Sequence, residues 1–408
     1  MSEGIRPTTG RRAFACLDPE RGWTLGLDGV PAVRRLGWGT HAWSVDAEGP
    51  GWVRSRSAHG AVTVYVPIRA PALLLRVEPE GQSGLPSWDG PPLPALPDPP
   101  HPPFWIALSR AGVSVRTDDL LAGSWPRALG DPDAVPERIR RERSSALENR
   151  TRLRIEGGAD ARRCDAAVQA ALSALDGWVT LDAEGRPRAV ADYGADGALW
   201  ADATATELLA RGLLAAGVPE DVGVWIEAGL LGEETAGRFR LWTGADQREA
   251  EEEIVTDWSA QAAPGAEGRP ARHLGQASDL VRAVHSSVGI RPDAPYARVG
   301  VAPHCPPDWN AFALEHLRVG TSEMRVRYRR TDRSHRFDCE QTWGVVPLTV
   351  VLEPWLPVPT TAAAHVDGSP GEPAREPEGG GSRIRLQMPL EAPRSLEIAV
   401  EDAVDQDT

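Results

Sequence analysis

The chain has 408 residues and 41% of them are hydrophobic, which is enough for two or three domains with sizeable cores. Its formal net charge is −14 and all 44 basic residues are arginine. The composition therefore excludes lysine chemistry, such as a Schiff base or a P-loop, and argues against nucleic acid as a partner, because an acidic chain repels phosphate.

The first elements along the chain are predicted to be strands. Apolar residues alternate at 23–27 and 62–68, and Asp28-Gly29 is a turn pair typical of hairpins. The stretch at 81–103 is rich in proline, so it is predicted to be an extended linker and not a helix or a central strand. Strand character returns at 104–115.

Helical character begins near Asp133, and apolar residues then recur at the spacing of amphipathic helices. Gly289 is placed to end the last helix, and Pro292 lies just beyond it. The helices are predicted at about 134–150, 161–175, 200–216, 220–236, 246–262 and 273–288. From 295 onward the apolar residues alternate again, which predicts strands up to residue 400.

These patterns predict a mixed multidomain fold in the order β, α, β. The predicted parts are an N-terminal β region at 1–80, a Pro-rich linker at 81–103, a β extension at 104–132, a helical domain at 133–290, a C-terminal antiparallel β-sandwich at 291–400 and an acidic tail at 401–408.

The four cysteines lie far apart and form no C-x-x-C pair, so we expect neither a disulfide framework nor a metal site, and no cofactor. No stretch is apolar enough over about 18 residues to cross a membrane, and the first residues lack the apolar core of a signal peptide. The expected location is a bacterial cytoplasm.

The junction between the helical domain and the last strands resembles a known family. It reads G-I-R-P-D at 289–293, then P-x-x-P-x-x-W at 303–309, and L-R-V-G at 317–320. This order is similar to the end of the last barrel helix and the start of the β-sandwich in bacterial glycosidases of the six-hairpin, or (α/α)₆-barrel, superfamily. The resemblance is close over about forty residues and fair as far as Val400. Glucoamylase-like, debranching-like and rhamnosidase-like members share this signature, so the sugar is undetermined.

Further stretches resemble the same family. D-G-A-L-W-A-D-A at 196–203 is similar to the start of an inner barrel helix, and R-L-W-T-G-A-D at 240–246 resembles a turn between barrel helices, with Ala245 inserted. The family fold implies twelve helices, which need roughly 250 to 350 residues with their loops. The region before Ile290 holds about six, so the resemblance implies a reduced α/α-barrel-like domain.

Glycoside hydrolysis requires two carboxyl groups, one acting as the acid and the other as base or nucleophile. The candidate catalytic residues are Asp202, Glu227 and Glu234. Asp202 follows Trp200 at a predicted helix start, where a charge favoured by the helix dipole is the alternative explanation. Glu227 and Glu234 lie seven residues apart on one predicted helix, where an ordinary charged flank is the alternative explanation.

The candidate sugar platforms are Trp200, Trp225 and Trp242, because an indole offers a flat apolar face and one hydrogen-bond donor. Packing in a core explains any single tryptophan equally well. Three hypotheses follow. The chain hydrolyses a glycosidic bond of an oligosaccharide or glucan, or it is a non-catalytic homologue that binds glycan or a partner protein, or it forms a homodimer whose half-barrels complete each other.

Overall fold

The computed structural model describes residues 6–38, 42–68, 70–81, 86–94, 103–117, 121–182, 184–194, 196–231, 272–305 and 307–400, with the single residues 233, 236 and 239. The chain divides into two compact units, each assembled from separate stretches. Unit 1 comprises 1–148, 173–206 and 271–273, and unit 2 comprises 149–172, 207–270 and 274–408. The linear domain boundaries given above remain a prediction.

Unit 1 begins with twelve strands that form two antiparallel sheets. These strands are β1 (Arg6–Thr9), β2 (Ala13–Asp18), β3 (Gly22–Leu27), β4 (Val30–Gly37), β5 (Ser44–Gly49), β6 (Trp52–Ser57), β7 (Gly60–Tyr65), β8 (Ala72–Pro79), β9 (Ser87–Asp89), β10 (Phe104–Ser109), β11 (Gly112–Arg116) and β12 (Leu121–Ala122). The first sheet has the order β1-β2-β3-β4-β9, and the second has the order β12-β11-β10-β8-β7-β6-β5.

The two sheets share one apolar core. Trp23, Leu25 and Leu36 of the first sheet pack in the same buried cluster as Val62 and Leu75 of the second. The Trp23 indole also donates a hydrogen bond of 2.9 Å to the Ser55 hydroxyl, so the polar group of this buried side chain is satisfied within the core. The N-terminal part is thus β-rich, and β10, β11 and β12 of the region predicted as a separate extension belong to its second sheet.

Both outer faces of this sandwich are covered, which explains why several of its strands are buried on both sides. Helix α1 (Val135–Glu148) packs Val135 and Ile139 against Tyr65, Leu74 and Trp105 of the second sheet. The next elements along the chain are β13 (Arg152–Gly157) and α2 (Ala159–Ala174), and residues 149–172 belong to unit 2.

A small third sheet covers the first sheet. It consists of β14 (Val179–Leu181), β15 (Pro187–Gly194) and β16 (Gly197–Trp200). Its Val190 and Tyr193 pack on Phe14 of β2.

The α-helices that follow in the described residues are α3 (Ala203–Ala215), α4 (Pro219–Glu227) and α5 (Arg272–Val281), and most of their residues belong to unit 2. Helix α5 continues into a π-helical turn (Arg282–Ser287). The described residues show no α/α barrel. The strands β13–β16 interrupt the helical region, and β13 joins a sheet of the C-terminal part. Within these ranges no helix is both long enough and apolar enough to cross a bilayer.

Gly289 ends this last helical segment, as the sequence predicts. Its φ is +67°, a conformation that favours glycine, and a Cβ there would lie 2.2 Å from the carbonyl oxygen of Ala302. The chain then enters β17 (Ile290–Asp293) and β18 (Arg298–Val301).

The rest of unit 2 is built from strands. They are β19 (Trp309–Val319), β20 (Ser322–Arg330), β21 (Ser334–Trp343), β22 (Thr349–Leu352), β23 (Trp355–Leu356), β24 (Ala364–Val366), β25 (Ser369–Pro370), β26 (Ala374–Glu378), β27 (Gly381–Pro389) and β28 (Arg394–Ala399). One sheet has the order β13-β19-β20-β21-β28-β24-β25, and the other has the order β17-β18-β22-β27-β23, with β26 paired to β27. The pairs are antiparallel except β18 with β22, which is parallel. The C-terminal part is thus layered sheet, with one departure from the predicted all-antiparallel pairing.

Candidate functional site

Asp202 and Trp200 lie at the start of α3. The Asp202 carboxylate accepts a 2.8 Å hydrogen bond from the backbone N–H of Ala205, so this exposed side chain caps the helix. Trp200 is 39% exposed, packs beside Gly29, and has the Arg188 guanidinium 5.5 Å from its ring centroid. The pair therefore combines a capping carboxylate with an indole that is partly open to solvent.

Glu227 and Trp225 lie on α4. Glu227 is exposed at the C-terminal end of the helix, whereas Trp225 is fully buried. Among the described residues, the Trp225 indole N–H has no hydrogen-bond partner. In this arrangement the ring packs as a core residue, and its role as a sugar platform remains a prediction. The other two candidates, Glu234 and Trp242, lie outside the described residues.

Unit 2 carries surface depressions on the outer face of the sheet that contains β13, β19, β20, β21 and β28. The register places one buried row across all five strands, and it consists of Ile155, Phe312, Tyr328, Phe337 and Leu396. The rings of Phe312 and Tyr328 are 5.4 Å apart, and those of Tyr328 and Phe337 are 4.9 Å apart. These cross-strand aromatic contacts fix the register, because a slip of one residue would bring polar side chains into the core.

The two neighbouring rows point outward. One row is Glu156, Ala311, Arg329, Arg336 and Glu397. The other is Arg154, Ala313, Arg327, Asp338 and Ser395. In both rows β19 contributes only an alanine, while its neighbours β13 and β20 contribute long charged side chains.

This difference in side-chain length produces a groove, which we call the alanine groove, with Ala311 and Ala313 as its floor. Its volume is about 540 Å³ and its walls include Arg154, Arg327 and Arg329. A second depression of about 560 Å³ extends toward β28 and shares Arg327, Arg336 and Asp338 with the first. The two together form a continuous polar surface across the sheet.

Ion pairs order part of this surface. The Arg327 guanidinium donates a 2.8 Å hydrogen bond to Glu315, and this contact holds the pKa of that carboxyl below its ordinary value. Arg336 lies 3.0 Å from Asp338 on the same strand, and Arg325 pairs with Glu340. Arg154 and Arg329 are exposed, and the described part of the chain offers neither of them a hydrogen-bonding or ionic partner for its side chain.

A buried polar network supports the sheet from its inner side. The Tyr328 hydroxyl is 2.9 Å from Nδ1 of His335 and also contacts the Cys305 thiol. Burial lowers the pKa of His335 to about 4 and raises the pKa of Cys305 to about 12, so both groups are neutral at neutral pH. Because Tyr328 lies between Arg327 and Arg329 in sequence, this network also positions the groove wall.

Across the described ranges, no three His, Cys, Asp or Glu side chains gather closely enough to hold a metal ion. The side chains that line the alanine groove offer hydrogen bonding and ionic contact by arginine and carboxylate groups.

No protein-family model matches this chain, and no curated protein matches it. Among solved structures, it is similar to an α-L-rhamnosidase from Dictyoglumus thermophilum, with 13% identity and a TM-score of 0.22, over 31% of this chain and 14% of that one. It is also similar to a GH127 β-L-arabinofuranosidase from Geobacillus stearothermophilus T6, with 9% identity and a TM-score of 0.21, over 58% of this chain and 40% of that one. The chain thus spans less than half the length of either glycosidase, and scores this low assign neither its fold nor its activity.

Sequence reasoning did not single out the alanine groove. The alternation of Met324, Val326 and Tyr328 predicts the strand β20, and its outward arginines could be read from the same pattern. The alternation of apolar and polar residues at 152–157 likewise indicates a strand, and this stretch forms β13. No local pattern shows that β13 and β28 join the same sheet, because the partners are more than 150 residues apart on one side of the sheet and about 60 on the other.

Proposed function

We propose that this chain is a carbohydrate-binding protein whose binding site is the alanine groove. The observation that carries the proposal is the floor of two small side chains between walls of arginine and carboxylate groups. Sugar hydroxyls both donate and accept hydrogen bonds, so a surface that carries both guanidinium donors and carboxylate acceptors matches them. The resemblance of 289–320 to the six-hairpin glycosidases, which act on sugars, supports the same class of ligand.

The mixed charge of the groove disfavours two other classes of ligand. An apolar molecule would have to desolvate Arg154, Arg327 and Arg329 without compensation. A nucleic acid would place its phosphates against Glu156 and Asp338 as well as against the arginines, in a chain whose net charge is −14.

The groove is proposed to bind without hydrolysing. A glycosidase needs one carboxyl group whose pKa is raised so that it can donate a proton near neutral pH. The pKa of Glu315 is instead lowered by Arg327, and Asp338 lies against Arg336. These carboxylates are suited to accept hydrogen bonds from hydroxyls.

Hydrolysis at a different site is the second candidate function. It would use Asp202, Glu227 and Glu234 as catalytic groups and Trp200, Trp225 and Trp242 as platforms. The observation that favours it is the partly exposed Trp200 indole two residues before the exposed Asp202 carboxylate.

The proposal is tested by affinity gel electrophoresis of the full chain in gels that contain neutral or acidic polysaccharides, with a parallel assay of reducing-end release. Ala313→Trp fills the groove floor, and Ala374→Trp places the same indole on the exposed strand β26 as a matched control. We expect retardation of the wild type, at least tenfold weaker binding by Ala313→Trp, unchanged binding by Ala374→Trp, and no release of reducing ends.

Failure of every polysaccharide to retard the wild type, or undiminished binding by Ala313→Trp, would overturn the proposal. Hydrolysis that disappears in Asp202→Asn or Glu227→Gln would instead support the second candidate.

A further inference from the structure

The distribution of charge within the alanine groove points to a particular class of sugar, and this inference rests on the proposed function. Arg329 of β20 stands directly opposite Arg336 of β21 in the strand register. Arg336 is paired with Asp338 on its own strand, whereas Arg329 has no such carboxylate in the described part of the chain. Like charges in directly opposed positions destabilise a sheet, so a negative group beside Arg329 would be favoured.

A third arginine faces the same space. Arg154 of β13 lies opposite Ala313, whose other neighbour across the sheet is Arg327. The side chains of Arg154 and Arg327 therefore rise on either side of the groove floor, about 10 Å apart at their backbones. Neither Arg154 nor Arg329 is neutralised by a side chain within the described part of the chain.

We propose that the alanine groove selects acidic sugars, with the carboxylate of a uronic acid bound between Arg329 and Arg336 and with Arg154 contacting the next acidic residue of the glycan. The planar guanidinium group matches a carboxylate with two parallel hydrogen bonds. The free hydroxyls of the same sugar are bound by the acceptors Glu156 and Glu397, which end the same row.

The acidic side chains in the groove distinguish a uronic acid from a densely sulfated polymer. Glu156 and Glu397 end one outward row, and Asp338 follows Arg327 in the other. A polymer with several sulfates on each sugar would meet repulsion from these carboxylates, whereas a glycan with one carboxylate and several hydroxyls on each sugar meets complementary groups.

The test compares trigalacturonic acid with maltotriose by isothermal titration calorimetry, using the full chain at low and at moderate salt. We expect the acidic trisaccharide to bind at least tenfold more tightly than the neutral one, with an advantage that shrinks as salt is added. The double variant Arg154→Gln/Arg329→Gln should lose this preference to within twofold. The variant Arg333→Gln, at an exposed bend that does not line the groove, should behave as the wild type.

Equal affinity of the wild type for the two trisaccharides would overturn the acidic specificity and leave the proposed function in place. A preference that survives in the double variant would also overturn the acidic specificity. The same titration with two polymers adds a further check: tighter binding of dextran sulfate than of polygalacturonate would overturn the specificity as well. Absence of binding to both trisaccharides and both polymers would contradict the proposed function itself.

Discussion

Arg329 and Arg336 face each other across the adjacent strands β20 and β21, with no carboxylate between them in the strand register. This opposition of like charges reduces stability at the position where we place the ligand's negative group. Stability and ligand binding should therefore respond in opposite directions to a change at Arg329.

The first prediction concerns Arg329→Glu. The new carboxylate would face Arg336 and convert a repulsive pair into an attractive one, so the free energy of unfolding should rise by about 0.2–1 kcal/mol. Binding of trigalacturonic acid should fall at least tenfold, because the carboxylate now occupies the anion position. Urea unfolding and calorimetry measure the two effects. The matched variant Arg333→Glu makes the same charge change in an exposed bend and should alter neither, and a loss of stability in Arg329→Glu would contradict the account.

The second prediction concerns Glu315, whose pKa is lowered chiefly by the hydrogen bond from Arg327. In Arg327→Gln the pKa of Glu315 should rise toward its ordinary value of 4.5. Titration of the side-chain carboxyl carbon by NMR measures this value directly. An unchanged pKa would show that the contact does not persist in solution and that the groove wall is not ordered as described.

The third prediction concerns the pH dependence of stability. Burial lowers the pKa of His285 and of His335 from 6.5 to about 4. Each folded-state pKa lies below the unfolded value, so the unfolded chain binds more protons between pH 6.5 and 4, and stability falls as the pH decreases through that window. The loss should be on the order of 1–3 kcal/mol for each histidine.

Urea midpoints at pH 7 and pH 5 measure the effect. His335→Asn should be less stable at pH 7 but show a smaller loss on acidification than the wild type, whereas the exposed His304→Gln should keep the wild-type difference. An identical loss in all three proteins would show that His335 is not the titrating group.

The fourth prediction concerns Gly289→Ala. The glycine adopts φ of +67°, and the added methyl carbon would lie 2.2 Å from the Ala302 carbonyl oxygen. We expect a loss of more than about 1 kcal/mol, because strain and a backbone clash combine at this position. Gly275→Ala, in α5 where a Cβ meets nothing within 4 Å, should instead be neutral or stabilising in thermal unfolding. Equal effects would contradict the described helix end.

The fifth prediction concerns the interior of unit 1, where Arg143 of α1 lies 3.7 Å from Asp176 and donates hydrogen bonds to the Thr9 carbonyl oxygen. Both side chains are buried, so Arg143→Leu leaves a carboxylate with less compensation and should cost about 3–5 kcal/mol. The exposed Arg140→Leu on the same helix should change the free energy of unfolding by less than about 1 kcal/mol. Similar values for the two variants would show that Arg143 is solvated.

Local patterns predict much of the fold. The helix end at Gly289, the strand β20 and the proline-rich break after β8 all follow from short-range rules on glycine, alternation and proline. The same rules place helices near α1 to α5. They fail where partners are distant in sequence: β13 reads as a short alternating stretch inside a helical region, and only its pairing with β19 makes it part of the C-terminal sheet.

The candidate site was beyond prediction for a related reason. An outward row of charged residues is typical of any solvated sheet face, so Arg325, Arg327 and Arg329 carry no functional signal in sequence. These arginines form groove walls only because Ala311 and Ala313 lie beside them, and only the strand register shows that.

Trp225 carries a functional signal in sequence, because it is a candidate sugar platform. In the structure its side chain is fully buried.

The central claim is that the alanine groove binds an acidic glycan, and a crystal structure of the full chain with an oligogalacturonate tests it most directly. We predict sugar rings over Ala311 and Ala313, with a carboxylate between the guanidinium groups of Arg329 and Arg336. An oligogalacturonate bound elsewhere, for example against Trp200, with this sheet face left open to solvent, would contradict the claim.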